Sequence, residues 1–335
     1  MRGIRIGDPG GPATLQVRAL PIPPPPGPGE IAVRLAATSL NYHDWRVCSD
    51  DSDTFAGRIP MADGAGVVEA IGAGVDEFRV GDRVISVFLP DWQHGRPAFQ
   101  HMRTIPGDTV DGYACEQVVR PATWFTHAPR DWSLEEAATL PTAALTAWRA
   151  LMEDGGLQPG ATVLALGTGG VSIFALLFAR AMGARVILTS SSDAKLERAR
   201  ALGADQVVNY RATPDWGAEV LRLTDGRGAD HVIETGGAAT LGQSVQAARD
   251  GGHIALIGAL SGHATEAPIS LVMRKHLRLM GVVVGSRAQQ QAMVEAIDAT
   301  GIRPVIDRVF PLKQLAEAFQ FERAGGHFGK ICIRY

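Results

Sequence analysis

The most informative stretch of the chain begins at 162–166, Thr-Val-Leu-Ala-Leu, where no charged residue interrupts the run. That pattern fits a strand covered on both faces of a parallel sheet. Gly167-Thr168-Gly169-Gly170 then turns the chain, the apolar stretch 171–182 predicts a largely buried helix, and Gly183 ends it. A β-branched strand follows at 185–189. Beyond it, strand-length apolar runs alternate with helical periodicity. Strands are expected at 163–166, 185–189, 206–208, 231–234, 253–257 and 277–284, and helices at 194–202, 216–224 and 241–249. Six strands joined by crossovers predict an α/β fold, a doubly wound parallel (Rossmann) sheet.

The first part of the chain reads differently. Residues 1–20 alternate loosely as an opening hairpin turning at Gly10-Gly11-Pro12, and the proline run 20–29 is an extended connector. Short β-type runs follow at 30–36, 64–71, 83–88 and 118–119, separated by glycine and proline turns. Such a series predicts a small, partly open barrel. The segment 90–111 has no periodicity, and a loop of that length inside a domain often carries function. Ser133 with Glu136 three residues on predicts a capped helix start. After 301 the pattern returns to barrel-like material, with strands at 305–310 and 331–334 and a helix at 312–323. The expected organisation is a β-rich domain of 1–125 completed by 302–335, around a dinucleotide-binding domain of 126–301.

Composition narrows the function. A chain of 335 residues suits two domains, and 46% hydrophobic with 20% charged residues can bury a large core. The net charge of −3 and the lack of any basic block argue against nucleic acid or an anionic membrane as partner. The start MRGIRIGDPGG has no apolar signal-like region and no run reaches the length of a membrane span, so a cytoplasmic protein is expected. Cys48, Cys115 and Cys332 are too scattered for a disulfide framework or a cysteine zinc cluster.

Strand, glycine turn, helix and strand within about thirty residues is the setting a dinucleotide fingerprint requires. Gly167 permits the tight turn, Gly169 lets backbone approach a pyrophosphate, and the N–H groups from Gly170 and Val171 onward face the phosphates. Ser172 stands at the third glycine position and is still small. At the end of the second strand an acidic residue would bind the ribose hydroxyls of NAD. Ser190, Ser191, Ser192 and Lys195 stand there instead, and hydroxyls with a lysine suit a 2′-phosphate. The cofactor expected is NADP(H). Asp193, the nearest acid, is expected to cap the next helix.

Several segments together resemble the medium-chain dehydrogenase/reductase superfamily, closest to its zinc-independent, quinone-reductase-like and alcohol-dehydrogenase-like branch. They are Ser39-Leu40-Asn41-Tyr42-His43-Asp44, Asp63-Gly64-Ala65-Gly66, Val80-Gly81-Asp82-Arg83-Val84, Glu135-Glu136-Ala137-Ala138 with Leu140-Pro141, and Leu145-Thr146-Ala147-Trp148. The glycine turn, Leu202-Gly203-Ala204-Asp205, Gly251-Gly252 and His327-Phe328-Gly329-Lys330 complete the set across essentially the whole chain. The resemblance implies a discontinuous GroES-like catalytic domain, a Rossmann domain, and an active site in the cleft between them. It also implies a homodimer paired through the last apolar edge strand.

The resemblance further assigns roles. Metal-binding relatives hold zinc at positions that match Asn41, Ala62 and Thr142 here, and none of these offers a thiolate or imidazole. No metal is therefore expected, and hydride transfer from a nicotinamide remains. The ring is expected near Asn41, Thr142 and Thr146, with its carboxamide on the backbone of Ile257-Gly258 and Val284-Gly285. Thr168, Tyr210 and Lys330 join the phosphate-side contacts. His43, at a proton-relay position of zinc relatives, and Tyr42 are the candidate donors to a developing enolate, with Asn41 the third candidate catalytic residue. The implied activity is NADPH-dependent reduction of a quinone or a carbonyl-conjugated C=C bond on a small-molecule substrate. A zinc-independent alcohol or aldehyde dehydrogenase and an NADPH-binding protein with little catalysis are the alternatives.

Overall fold

The run Thr162–Leu166 lies inside a six-stranded sheet with all five residues buried, as its uncharged sequence requires. The computed structural model describes every residue from Met1 to Tyr335. The strand order is Gln206–Asn209, Arg185–Ser190, Thr162–Leu166, Ala229–Glu234, Ala248–Leu256 and Arg278–Gly281, and each neighbouring pair is parallel. The order reverses between Thr162–Leu166 and Ala229–Glu234, so a crevice at the carboxyl ends of these two strands is where such a sheet binds its ligand. Leu164, Ile187, Val232 and Ile254 bury their side chains in one cluster. Each removes area worth about 1.5–3 kcal/mol from water.

A second sheet has seven strands. Ile306–Pro311, Lys330–Arg334, Glu30–Ser39, Ala65–Ile71, Arg83–Ser86 and Phe125–His127 follow one another, and Gln117–Pro121 also pairs with Glu30–Ser39. The ten-residue strand Glu30–Ser39 is the hub. It pairs with three partners, and its end sets Ser39 opposite Cys332. That register brings the closing strand, about 290 residues downstream, to the residues just past Ser39.

The chain divides into Met1–Leu145 with Val284–Tyr335, and Thr146–Val283. Both boundaries differ from the expected 125/126 and 301/302. The helix Arg287–Thr300, absent from the sequence reading, packs on the β-rich unit: Gln290 donates to the Ser86 carbonyl at 2.9 Å and to Thr126 Oγ1 at 2.8 Å. Ser133 and Glu136 form the expected capping box, Ser133 N–H to Glu136 Oε2 at 2.7 Å and Glu136 N–H to Ser133 Oγ at 3.1 Å. The last sheet strand is shorter than the expected 277–284. It runs Arg278–Gly281, and Val284 departs from strand geometry with a φ of 47°. The helix expected at 241–249 ends at Ala247, where Ala248 begins a strand. No helix is long and apolar enough to cross a membrane.

Candidate functional site

Two groups of candidate residues form, one in each unit. In the Thr146–Val283 unit, Gly167 takes a φ of 75°, a conformation glycine adopts without strain. Its N–H donates to Thr189 Oγ1 at 3.3 Å, and Ser172 Oγ and Thr235 Oγ1 both donate to the Leu166 carbonyl, at 2.6 and 3.0 Å. Ser172 is therefore more than a small residue at the third glycine position, because its hydroxyl ties helix to strand. The helix Gly170–Ala181 is capped by Gly169 with no side chain bonded to its first N–H groups, and a Cβ placed on Gly169 would meet nothing within 4 Å. Open space over an uncapped helix N-terminus suits a pyrophosphate, so these residues fit the dinucleotide the fold implies.

The ribose end is also assembled. Ser190 is buried at the strand end and its hydroxyl accepts the Ser192 N–H at 3.2 Å. Ser191 and Lys195 are half-buried nearby in sequence. Tyr210 donates its N–H to the Ser190 carbonyl at 3.1 Å and its ring is exposed. Asp193 does not cap the helix, as the sequence suggested. Ser192 is the cap residue, and the Asp193 carboxylate accepts Asn209 Nδ2 at 2.7 Å, which draws its charge towards the third strand. Ile257 and Gly258 both give their N–H groups to the Glu234 carbonyl, at 2.9 and 3.2 Å. Their carbonyls are the groups left for a carboxamide. Glu234 Oε1 in turn accepts the Gly236 and Gly237 N–H groups at 2.8 and 3.0 Å and Thr240 Oγ1 at 2.6 Å, which fixes the turn after this strand. Thr146 is buried in this unit.

In the other unit a carboxylate sits where the sequence named no functional residue. Asp63 is fully buried. Ser39 Oγ and Asn41 Nδ2 donate to its Oδ2 at 2.6 and 2.8 Å, and Thr142 Oγ1 donates to its Oδ1 at 2.7 Å. Thr142 reaches it from a π-helical turn, Leu140–Ala144, a geometry frequent at functional sites. Lys330 Nζ stands 3.8 Å from Asp63 Oδ2 and donates to Asn41 Oδ1 at 2.6 Å and to the Leu40 carbonyl at 2.5 Å. Lys330 is 3% exposed. The expectation that it contacts a cofactor phosphate is corrected, because a buried ammonium already holding two oxygens beside a carboxylate cannot turn to a phosphate in solvent.

Asp44 joins the two loops of this network. Its Oδ2 accepts the Asn41 N–H at 3.0 Å and Nδ2 at 3.1 Å, and its Oδ1 accepts the Ala62 N–H at 2.8 Å. Asp44 therefore orders the backbone. Burial pushes its carboxyl up to about 6, against the opposing pull of the adjacent His43. Burial likewise pushes Glu322, on the helix Leu315–Arg323, up to about 7.

The network brings Asn41, Ala62 and Thr142 to one place, and their chemistry is an amide, a methyl group and a hydroxyl, which do not fit a zinc ion. The amide of Asn41 is committed at both ends, its hydrogens to carboxylates and its oxygen to Lys330. His43 and Tyr42 lie on the helix Tyr42–Ser49. His43 is half-buried with its ring edge-on to Phe88 at 5.4 Å, and Tyr42 is exposed beneath the Arg323 guanidinium at 5.8 Å. Val284 is buried, and Gly285 follows it in the same unit. In the sequence Asp63 opens Asp63-Gly64-Ala65-Gly66, and an acid among small apolar neighbours is its only signal.

Residues 27–130 match the alcohol dehydrogenase GroES-like domain and residues 170–299 match the zinc-binding dehydrogenase family. A zinc-type alcohol dehydrogenase-like protein of Schizosaccharomyces pombe is 40% identical over 93% of this chain and 93% of its own length. Among solved structures, an NAD-dependent alcohol dehydrogenase superposes with a TM-score of 0.90 at 35% identity over the full length of both chains. A Sinorhizobium meliloti 1021 protein, provisionally described as an alcohol dehydrogenase, superposes at 0.91 and 40% identity over 100% of this chain and 98% of its own.

Proposed function

The chain belongs to the medium-chain dehydrogenase/reductase superfamily of oxidoreductases, and from that premise we propose that it transfers hydride between NADP(H) and a small molecule without a metal. The proposed acceptor is a quinone or a C=C bond conjugated to a carbonyl. The observation that carries this reading is the filling of the three metal-ligand positions by Asn41, Ala62 and Thr142, with Asn41 and Thr142 bonded to Asp63. Oxygen and amide groups held by a buried carboxylate offer zinc no thiolate or imidazole. A polarised carbonyl must then find its donor in a side chain, and His43 and Tyr42, which follow Asn41 on the helix Tyr42–Ser49, are the proposed donors.

Bound at the glycine turn, the dinucleotide would supply the hydride. The residues of the chain would do the rest: the N–H groups from Gly170 and Val171 would hold phosphate, Ser190, Ser191, Lys195 and Tyr210 would serve the adenosine ribose, and Asn41, Thr142 and Thr146 are the residues proposed for the nicotinamide. Hydroxyls and a lysine at the ribose, with Asp193 turned to Asn209, support NADPH over NADH. The exposed edge strand Arg278–Gly281 supports a homodimer, and the composition a cytoplasmic protein.

The test is an assay of purified protein with NADPH and NADH against 1,4-benzoquinone, 2-cyclohexen-1-one and, in the reverse direction, benzyl alcohol with NADP⁺. Quinone or enone reduction favouring NADPH by tenfold or more is expected. Turnover of NADH at least as efficient as NADPH overturns the cofactor assignment, and benzyl alcohol oxidation alone moves the protein to the alcohol dehydrogenase reading that its relatives' names favour. Tight NADPH binding with no turnover would mark a binding protein with little catalysis. One zinc ion per chain by elemental analysis would end the metal-free reading.

A further inference from the structure

The loop 90–111, unassigned by its sequence, carries a carboxylate to His43. Asp108 Oδ2 lies 3.4 Å from His43 Nε2. That nitrogen is buried and, at this distance and ring orientation, makes no hydrogen bond in the resting structure. A buried ring nitrogen this close to a carboxylate favours its N–H form, and a small turn of the ring would close the bond, which leaves the other nitrogen to exchange protons.

The placement of Asp108 is built. The Ile105 carbonyl accepts the N–H groups of Asp108, Thr109 and Val110 at 3.1, 3.0 and 3.3 Å, and Thr109 Oγ1 accepts the Ile105 N–H at 2.7 Å. Gly107, at a φ of 83°, lies so close to Met61 that a Cβ there would stand 2.8 Å from the Met61 backbone nitrogen. Gly112 donates to the Ile59 carbonyl at 2.7 Å, and Asp111 Oδ1 accepts the Ile59 N–H at 3.0 Å. Met61 itself is held at a φ of 78°, a strained setting for a residue with a side chain, and the next residue, Ala62, donates to Asp44. The path from Asp108 through its turn, Met61, Ala62 and Asp44 returns to His43 through one peptide bond. Both members of the pair are thus fixed to the same short piece of backbone.

We propose that Asp108 is the positioning carboxylate of His43: it accepts the Nε2–H as a hydrogen bond, fixes ring and tautomer, and leaves Nδ1 to deliver the proton. The proposal rests on the oxidoreductase reading. When hydride adds its electron pair to the β-carbon of an enone, negative charge gathers on the carbonyl oxygen. The imidazolium Nδ1–H bond breaks and its proton forms the enol O–H. His43 is left neutral with Nε2 protonated, Asp108 stays ionised throughout, and water restores the proton at Nδ1.

Long-range ¹H–¹⁵N correlation spectra of the protein without added ligand, recorded at a pH high enough to keep the ring neutral and with His43→Gln to assign the signal, read which nitrogen carries the proton left by the transfer. The Nε2–H tautomer is expected in the wild type, a mixture in Asp108→Ala, and its restoration in Asp108→Glu. Asp108→Asn keeps the shape of the turn should the alanine variant fold poorly, and it too is expected to lose the single tautomer. A wild-type proton on Nδ1, or a tautomer unchanged in both Asp108→Ala and Asp108→Asn, overturns the proposal. With 2-cyclohexen-1-one and NADPH, kcat should fall tenfold or more in Asp108→Ala with KM within twofold; a change in KM alone counts against the positioning role. A wild type that reduces no enone or quinone sinks the functional reading, while the tautomer still decides the role of Asp108.

Discussion

The glycine turn after Thr162–Leu166 and the carboxylate cluster around Asp63 both sit at strand ends, yet they are built on opposite principles. At the turn, side chains are missing or neutral: Gly167, Gly169 and Gly170 clear space, and hydroxyls of Ser172, Thr189 and Thr235 hold the backbone. Around Asp63, charge is packed inside. Asp44, Asp63, Glu322 and Lys330 share one interior, with neutral amide and hydroxyl groups between them. A site made of space needs only short-range geometry. A site made of charge depends on every partner being delivered by the fold, since an unpaired buried charge is costly.

The charged cluster depends most heavily on Lys330. Lys330→Met should destabilise the β-rich unit by about 3–5 kcal/mol, because Asp63 loses its nearby ammonium and stays buried. Urea unfolding followed by fluorescence would measure it, and a loss under about 1 kcal/mol would show that the three hydrogen bonds to Asp63 suffice without the cation. At the turn, Gly167→Val forces a β-branched residue to a φ of 75°, a cost of order 1–3 kcal/mol, and adds bulk where phosphate would lie. Calorimetric titration with NADPH should show affinity weakened by more than tenfold with the β-rich unit equally stable. An unchanged affinity would remove the glycine turn from the binding site.

Acid sharpens the contrast, because the two units respond to pH in opposite senses. His231 and His253 face each other on adjacent strands, and burial holds both rings down at about 4. Their contribution to stability is complete above about 6.5, the value of an unfolded histidine, and is lost as pH falls towards 4. Asp44 and Glu322, pushed up to about 6 and about 7, behave in reverse: stability present near pH 4 is lost as pH rises through 6 to 7. Each effect is on the order of a few kcal/mol. Hydrogen exchange by mass spectrometry at pH 4.5 and 7.5 should show Ala229–Glu234 and Ala248–Leu256 losing protection on acidification while Tyr42–Ser49 and Leu315–Arg323 gain it. Parallel loss in both units would refute the opposition. The smallest effect is local: Ser133→Ala removes one half of a capping box and should cost about 1 kcal/mol, read in the same urea unfolding.

Much of the nucleotide-binding unit was legible because its signals are local. An uncharged strand run, a glycine turn, an apolar helix and a second strand lie within about thirty residues, and hydrophobic periodicity reports each one. The Ser133 cap was readable for the same reason, since donor and acceptor are three residues apart. Reading failed where a short segment served two masters. Asp193 looked like a helix cap but is drawn to Asn209 on a neighbouring strand, and the helix Arg287–Thr300 was missed although its Ser286–Gln289 capping box was in plain view. The shift of the second boundary, from 301/302 to 283/284, follows from that omission, because Gln290 fastens this helix to the β-rich unit.

What the amino-acid order determined by itself was the Rossmann sheet, the glycine turn that opens its first helix, and the chemistry of the groups at Asn41, Ala62 and Thr142. All three depend on residue type and near neighbours. The tertiary structure alone decided that Lys330 serves Asn41 and Asp63, that Asp63 gathers Ser39, Asn41 and Thr142, and that Asp108 faces His43. These partners are separated by between 22 and 289 residues. Pairing between buried polar groups across such distances leaves no period in the sequence, because it is set by the register of Glu30–Ser39 against its neighbours.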